Sequence, residues 1–179
     1  MWAVGNDTNI LRIGAEGFVE RVATAEGPIV EIINCGTHIV CATSHSVLFV
    51  DRQSGLVAKE VAFGSDTITT LASSNKGRVV YVGTLRSGLW AVDGESGKVE
   101  HFHRGSVPGR IRNLTVDSHG TVWITDTREG ITRFAPEKKN YKHFRQQRNT
   151  VDYYSDTTSM VIEQADRVWI KMNHVGFGY

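Results

Sequence analysis

The sequence predicts an all-β chain made of repeated four-stranded antiparallel units, and three observations carry that prediction. No segment sustains a 3.6-residue apolar period, so long helices are not expected. Across 179 residues there are 18 glycines but only 3 prolines, which suits many tight turns between short strands. A strand grammar also recurs. Aligned on one strand per unit, WAVG begins at 2, CATS at 41, YVGT at 81, WITD at 123 and WIKM at 169, with successive starts 39, 40, 42 and 46 residues apart.

Around each anchor the pieces follow one order. The third unit runs ITTLASSNKG, RVVYVGT, LRSG, LWAVD and VEHFH, and the fourth runs IRNLTVDSHG, TVWIT, DTREG, ITRFAP and YKHFR. The second runs IVEIINCG, HIVCATS, SVLFVD and AKEVAF; the first lacks an opening strand and the fifth stops at GFGY. Four short strands in every unit of this length are the signature of a β-propeller blade. The expected organisation is one propeller segment over 1–179: a partial blade at 1–27, blades at 28–66, 67–107 and 108–150, and a partial blade at 151–179. A piece of a longer propeller is expected, because propellers close with about four to eight whole blades. The rest of the propeller, or another copy of the chain, is therefore an expected partner.

A blade buries its faces only against its neighbours. Trp123 is accordingly expected between adjacent blades, and the rings of Trp2, Tyr81, Trp123 and Trp169 share one repeat position that reads as inter-blade core. Asp117, three residues before Gly120, reads as a turn residue that bonds local backbone N–H groups, with no catalytic role.

Composition narrows the function. A net charge of +1 gives no electrostatic reason for nucleic acid or an anionic membrane as partner, and no nucleic acid is expected. No apolar run approaches the roughly 20 residues that span a bilayer, and MWAVGNDTN lacks the charged start and apolar stretch of a signal peptide, so a soluble chain is expected. Two cysteines, Cys35 and Cys41, exclude a disulfide scaffold or a four-cysteine zinc site. Both lie in apolar strand-like segments and read as inert buried thiols, with a local disulfide as the alternative. His101 and His103 alternate along one strand and share a face, but spacing fixes no third ligand, so neither a metal nor a cofactor is assigned.

Ligands reach such folds through the loops at one end of the strands. The loops joining second to third strands carry Asn6, Asp7, Arg86, Asp126, Arg128, Asn173 and His174. Those joining fourth to first strands carry Arg110 and the long RQQRNTVDYYSDTTS from 145, with Tyr153 and Tyr154. Tyrosines stack on the apolar face of a sugar while Arg and Asp bond hydroxyls. The candidate ligand-binding set is Arg86, Asp126, Arg128, Tyr153, Tyr154, Asn173 and His174, expected to converge on one concavity; no catalytic residue is assigned.

The run IRNLTVDSHGTVWITDTREGITRFAPEKKNYKHF resembles the two-component regulator propeller repeat, whose units read approximately V-x-x-I-x-x-D-x-x-G-x-x-W-I-G-T-x-x-G-L-x-R-[FY]. YVGTLRSGLW with VEHFH matches it in the third unit. The chain departs from the pattern at CATSHSVLF, which has lost the second glycine, and at Thr125-Asp126, which stands in place of Gly-Thr. The resemblance implies a non-catalytic ligand-sensing segment in the periplasmic sensor region of a hybrid histidine kinase, where similar repeats form paired propellers that recognise carbohydrate fragments. Two other classes share the blade grammar. One is a metal-dependent lyase similar to virginiamycin B lyase, for which His101, His103 or His119 would be needed; the other is a protein-interaction propeller with NHL-like repeats.

Overall fold

The computed structural model describes residues 1–102, 107–126 and 130–144 in full, and the backbone of 157–164, 167–172 and 176–178. Strands form five antiparallel sheets in chain order. The first holds β1 (Trp2–Gly5), β2 (Asn9–Ile13) and β3 (Val19–Thr24), and the second β4 (Ile29–Cys35), β5 (His38–Thr43), β6 (Ser46–Asp51) and β7 (Val57–Ala62). The third holds β8 (Ile68–Ser73), β9 (Val79–Thr84), β10 (Leu89–Asp93) and β11 (Val99–Phe102). The fourth holds β12 (Asn113–Val116), β13 (Val122–Asp126), β14 (Gly130–Ala135) and β15 (Asn140–Phe144), and the fifth β16 (Thr157–Gln164), β17 (Arg167–Met172) and β18 (Gly176–Gly178). Within every sheet each strand pairs with its neighbour in sequence, so hairpin turns alone set the order.

The core lies between sheets, because strand residues alternate between faces. On the second sheet Ile39, Cys41 and Val50 join Ile10 of the first sheet, while Val40, Ala42, Val47 and Phe49 on the other face join Leu71, Val80, Val82 and Val92 of the third. The opposite face of the third sheet, with Tyr81, Leu89, Ala91 and Phe102, meets Leu114, Val122, Ile124 and Phe134 of the fourth. Phe102 and Phe134 meet there edge to face at 4.9 Å. Phe49 and Phe134 are fully buried, and removing such a ring costs about 3–5 kcal/mol.

Bonds between sheets repeat at nearly the unit length. Cys35 Sγ donates to Gly77 O (3.2 Å), Asn75 Nδ2 to Asp117 O (2.7 Å) and Thr69 Oγ1 to Ile111 O (2.7 Å), each across 42 residues, while Leu71 N donates to the Glu31 carboxylate across 40. Two turns meet backbone to backbone where Gly36 and Gly77, both at positive φ, face each other; a Cβ on Gly77 would stand 2.5 Å from Gly36 N.

Two sequence expectations change in detail. The repeat alignment slips by one residue in the second unit: Thr43 ends its strand as Thr84 and Asp126 end theirs, so Val40 takes the position of Tyr81 and Trp123, and Cys41 points at the first sheet instead. The two thiols thus lie on opposite faces, in separate clusters, and both are free. Burial with no polar partner pushes Cys41 up to about 12. Trp123 is only partly buried, because its indole edge is spent on a polar group: Nε1 donates to Asp117 Oδ2 at 2.9 Å, and the ring stacks beside Phe144. Ile124 and Phe134, on the opposite face of the fourth sheet from Trp123, carry its packing against the third. The ring of Trp169 lies outside the described side chains.

Gly83 on β9 faces Ile111, which precedes β12. A Cβ there would meet Ile111 Cγ2 at 2.6 Å and Thr70 Cγ2 at 2.9 Å, and Ile111 is 1% exposed and β-branched, so it has little room to give. Gly83→Ala is expected to lower stability by about 1–3 kcal/mol in urea unfolding. An unchanged midpoint would show that the two sheets are not held at this contact.

Candidate functional site

The loops after the second strands and the connections before the first strands come together at one end, and backbone hydrogen bonds hold them there. Ile29 N donates to Asp7 O (2.6 Å), Ile68 N to Ser44 O (2.8 Å), Leu85 N to Thr67 O (2.8 Å) and Ile111 N to Thr84 O (2.9 Å). Three of these bonds stitch consecutive sheets at this rim, while that from Leu85 to Thr67 lies within the third sheet.

Asp66 organises the rim of the third sheet. Its Oδ1 accepts the amide N–H of Thr67 (2.8 Å) and Arg86 (3.1 Å), and its Oδ2 accepts that of Ser87 (2.8 Å). Its carbonyl takes a bond from His45 Nδ1 (2.9 Å), which places the ring proton on Nδ1. The hairpin is closed from within by Thr84, whose Oγ1 donates to Gly88 O (2.9 Å). Burial alone would raise the Asp66 carboxyl, but bonds from Ser87, Thr84 and Thr67 outweigh it and hold the group below its ordinary value. This clamp leaves the Arg86 side chain exposed while its backbone is fixed.

Next to this hairpin is an open concavity of about 360 Å³, lined by Thr69, Leu85, Arg110, Ile111 and Arg112. Thr69 Oγ1 lies within hydrogen-bond distance of Gly83 O (3.0 Å) and Ile111 O (2.7 Å), so its one proton bridges the third sheet and the segment before the fourth. Arg110 and Arg112 are exposed, with the buried Ile111 between them. A second concavity of about 390 Å³ lies at the opposite end of the fourth sheet, where His119, Thr121, Arg133, Lys138, Tyr141 and Lys142 are among its lining.

Of the sequence candidates, Arg86 is at the rim beside the first concavity. Asp126 is at the same end but is 4% exposed: it takes the place that Thr84 has inside its hairpin, opposite Gly130, and is not a surface carboxylate. Arg128 stands in the fourth unit where Arg86 stands in the third, but Arg128, Tyr153, Tyr154, Asn173 and His174 all lie outside the described residues. Two contributors escaped the sequence reading. Asp66 carried no motif, and Leu85 was an ordinary loop residue until Ile111 was brought against its neighbour Thr84.

Asp117 is the turn residue its spacing indicated. Oδ1 accepts His119 N–H and Thr121 N–H (both 2.9 Å), and Oδ2 accepts the Trp123 indole N–H. His101 lies on an outer strand, stacked on Trp90 at 3.7 Å, with Nε2 bonded to Ser87 O at 2.7 Å. His119 is at the other end of a different sheet, and His103 lies outside the described residues. Among the described residues no three His, Cys, Asp or Glu gather as a metal ion would need.

No family model matches the chain, and no curated protein matches it in sequence. Solved structures do match in shape. The extracellular domain of a B. thetaiotaomicron protein described as a hybrid two-component system superposes with a TM-score of 0.72 at 15% identity, covering 96% of this chain and 23% of that one. Virginiamycin B lyase from Staphylococcus aureus superposes with a TM-score of 0.74 at 12% identity, covering 94% and 61%, and the Pan2 WD40 domain from Neurospora crassa with 0.61 at 15%, covering 79% and 44%. The fold is a β-propeller segment. Its structural likeness to a two-component extracellular domain agrees with the repeat resemblance, and the segment spans less than a quarter of that domain's length.

Asp66 gives this rim a pH dependence. Its carboxyl ionises more readily folded than unfolded, so its contribution is fully present above the ordinary value of 3.8 and is lost as pH falls through the lower folded value. Asp66→Asn is expected to melt lower than wild type at neutral pH, by about 1–2 kcal/mol, and the gap should narrow below about pH 4. A gap that stays constant from neutral to acidic pH would contradict the clamp.

Proposed function

We propose that this chain is a non-catalytic, ligand-sensing propeller segment of an extracytoplasmic two-component sensor, and that it recognises a carbohydrate fragment at the rim built by the second-to-third loops. One observation carries the reading. Asp66 and the bond from Ile111 to Thr84 set the hairpin carrying Arg86 beside a concavity lined by Thr69, Leu85, Arg110, Ile111 and Arg112. Apolar surface flanked by fixed hydrogen-bond donors is what a sugar ring and its hydroxyls require.

On this proposal Tyr153 and Tyr154 stack on the ring, and Arg128, Asn173 and His174 add donors from the fourth and fifth units. Asp126 serves the hairpin and not the ligand. Sensing needs only that ligand favour one arrangement of the receptor, and a tenfold bias takes about 1.4 kcal/mol of differential affinity. The repeat resemblance and the likeness to a two-component extracellular domain support a sensor in the periplasm. The lyase likeness gives the runner-up, a metal-dependent enzyme.

Calorimetry of the chain against short neutral and acidic oligosaccharides separates these readings. Binding without product formation is expected, and Tyr153→Ala or Tyr154→Ala should weaken it by about 1–3 kcal/mol with the melting temperature unchanged. Turnover that appears with a divalent metal and disappears with chelator would overturn the sensor reading, and binding of peptides but no saccharide would favour an interaction module.

A further inference from the structure

We propose that the rim of the third and fourth sheets selects an anionic saccharide, whose carboxylate or sulfate group is met by Arg86 and Arg110. This rests on the carbohydrate-sensing reading and narrows it.

Placement comes first. The bond from Ile111 N to Thr84 O (2.9 Å) sets the segment carrying Arg110 against the hairpin carrying Arg86, and Leu85 and Arg110 line the same concavity. Both guanidinium groups belong to exposed residues, and among the described residues neither forms an ion pair.

No described carboxylate pairs with either guanidinium group. Asp66 has its two oxygens engaged by three amide N–H groups, and Asp126 is 4% exposed within its own hairpin. Two arginines elsewhere are ion-paired, Arg12 with Glu20 and Arg78 with Asp93. Two guanidinium groups without carboxylates are donors suited to an oxyanion, which they bind through paired, charge-assisted hydrogen bonds.

The floor then separates a sugar acid from a bare anion. Leu85, 39% exposed, gives apolar surface, and Thr69 gives a hydroxyl within reach of two carbonyls. A small inorganic anion would use the arginines alone, whereas a sugar acid would also cover the apolar floor.

The test is calorimetry of the full chain with oligogalacturonate, a neutral oligogalactoside of equal length, a sulfated disaccharide and inorganic sulfate. An acidic or sulfated saccharide is expected to bind at least about tenfold more tightly than the neutral one, and to weaken as salt rises from about 50 to 300 mM. Arg86→Ala and Arg110→Ala should each lower that affinity about tenfold at an unchanged melting temperature, Arg86→Lys should lose less, and Lys138→Ala at the opposite end should lose nothing. Equal binding of the neutral sugar overturns the anionic preference while leaving the sensor reading intact. Binding of no saccharide at all overturns both. Inorganic sulfate binding as tightly as the saccharides, or acid binding that survives both arginine variants or is lost in Lys138→Ala, overturns the assignment to this rim.

Discussion

Each of the described sheets has two faces to cover and no helix to cover them, so the packing of consecutive sheets against one another is the constraint on which the rest depends. Val80, Val82 and Val92 are of use to the third sheet only because Phe49 and Val47 arrive from the second, and Tyr81 and Leu89 only because Ile124 and Phe134 arrive from the fourth. The repeat length follows from this. A partner for a residue in one unit lies about one unit further on, which is why Cys35 reaches Gly77, Asn75 reaches Asp117 and Thr69 reaches Ile111 across the same 42 residues.

The same stitching makes the candidate site. A propeller rim is built from loops, and loops hold a geometry only if their backbone groups are satisfied. Here the neighbouring sheet does part of that and Asp66 does the rest, so Arg86 extends from a backbone held at both ends of its hairpin. Gly83 belongs to this account as much as to the fold. Its missing side chain lets Ile111 settle against β9, and without that approach Arg110 would not share a concavity with Leu85.

Much of the architecture was legible because repetition is written locally: strand, turn, strand, with aromatic rings at Trp2, Tyr81 and Trp123 in one recurring place. Asp117 was legible for the same reason, since its turn accounts for it, although its bond to the Trp123 indole was not. What spacing could not give was the face of a strand where the loop had shortened. In the second unit a one-residue slip exchanges Cys41 for Val40 and turns every neighbour over. Asp126 misled because polar residues near loops read as exposed, whereas the end of β13 is enclosed as Thr84 is. Asp66 had no signature at all, since its role is to accept amides from a hairpin 20 residues away.

Hydrogen–deuterium exchange of the chain with and without a saccharide that binds it maps the mouth most directly, because it reads the backbone amides that the account assigns to the rim. Slower exchange on binding is predicted at 84–88 and 110–112, with no change at 119–121 and 136–142 at the opposite end of the fourth sheet. Protection confined to 119–121 and 136–142 would place the ligand at the other end and contradict the account.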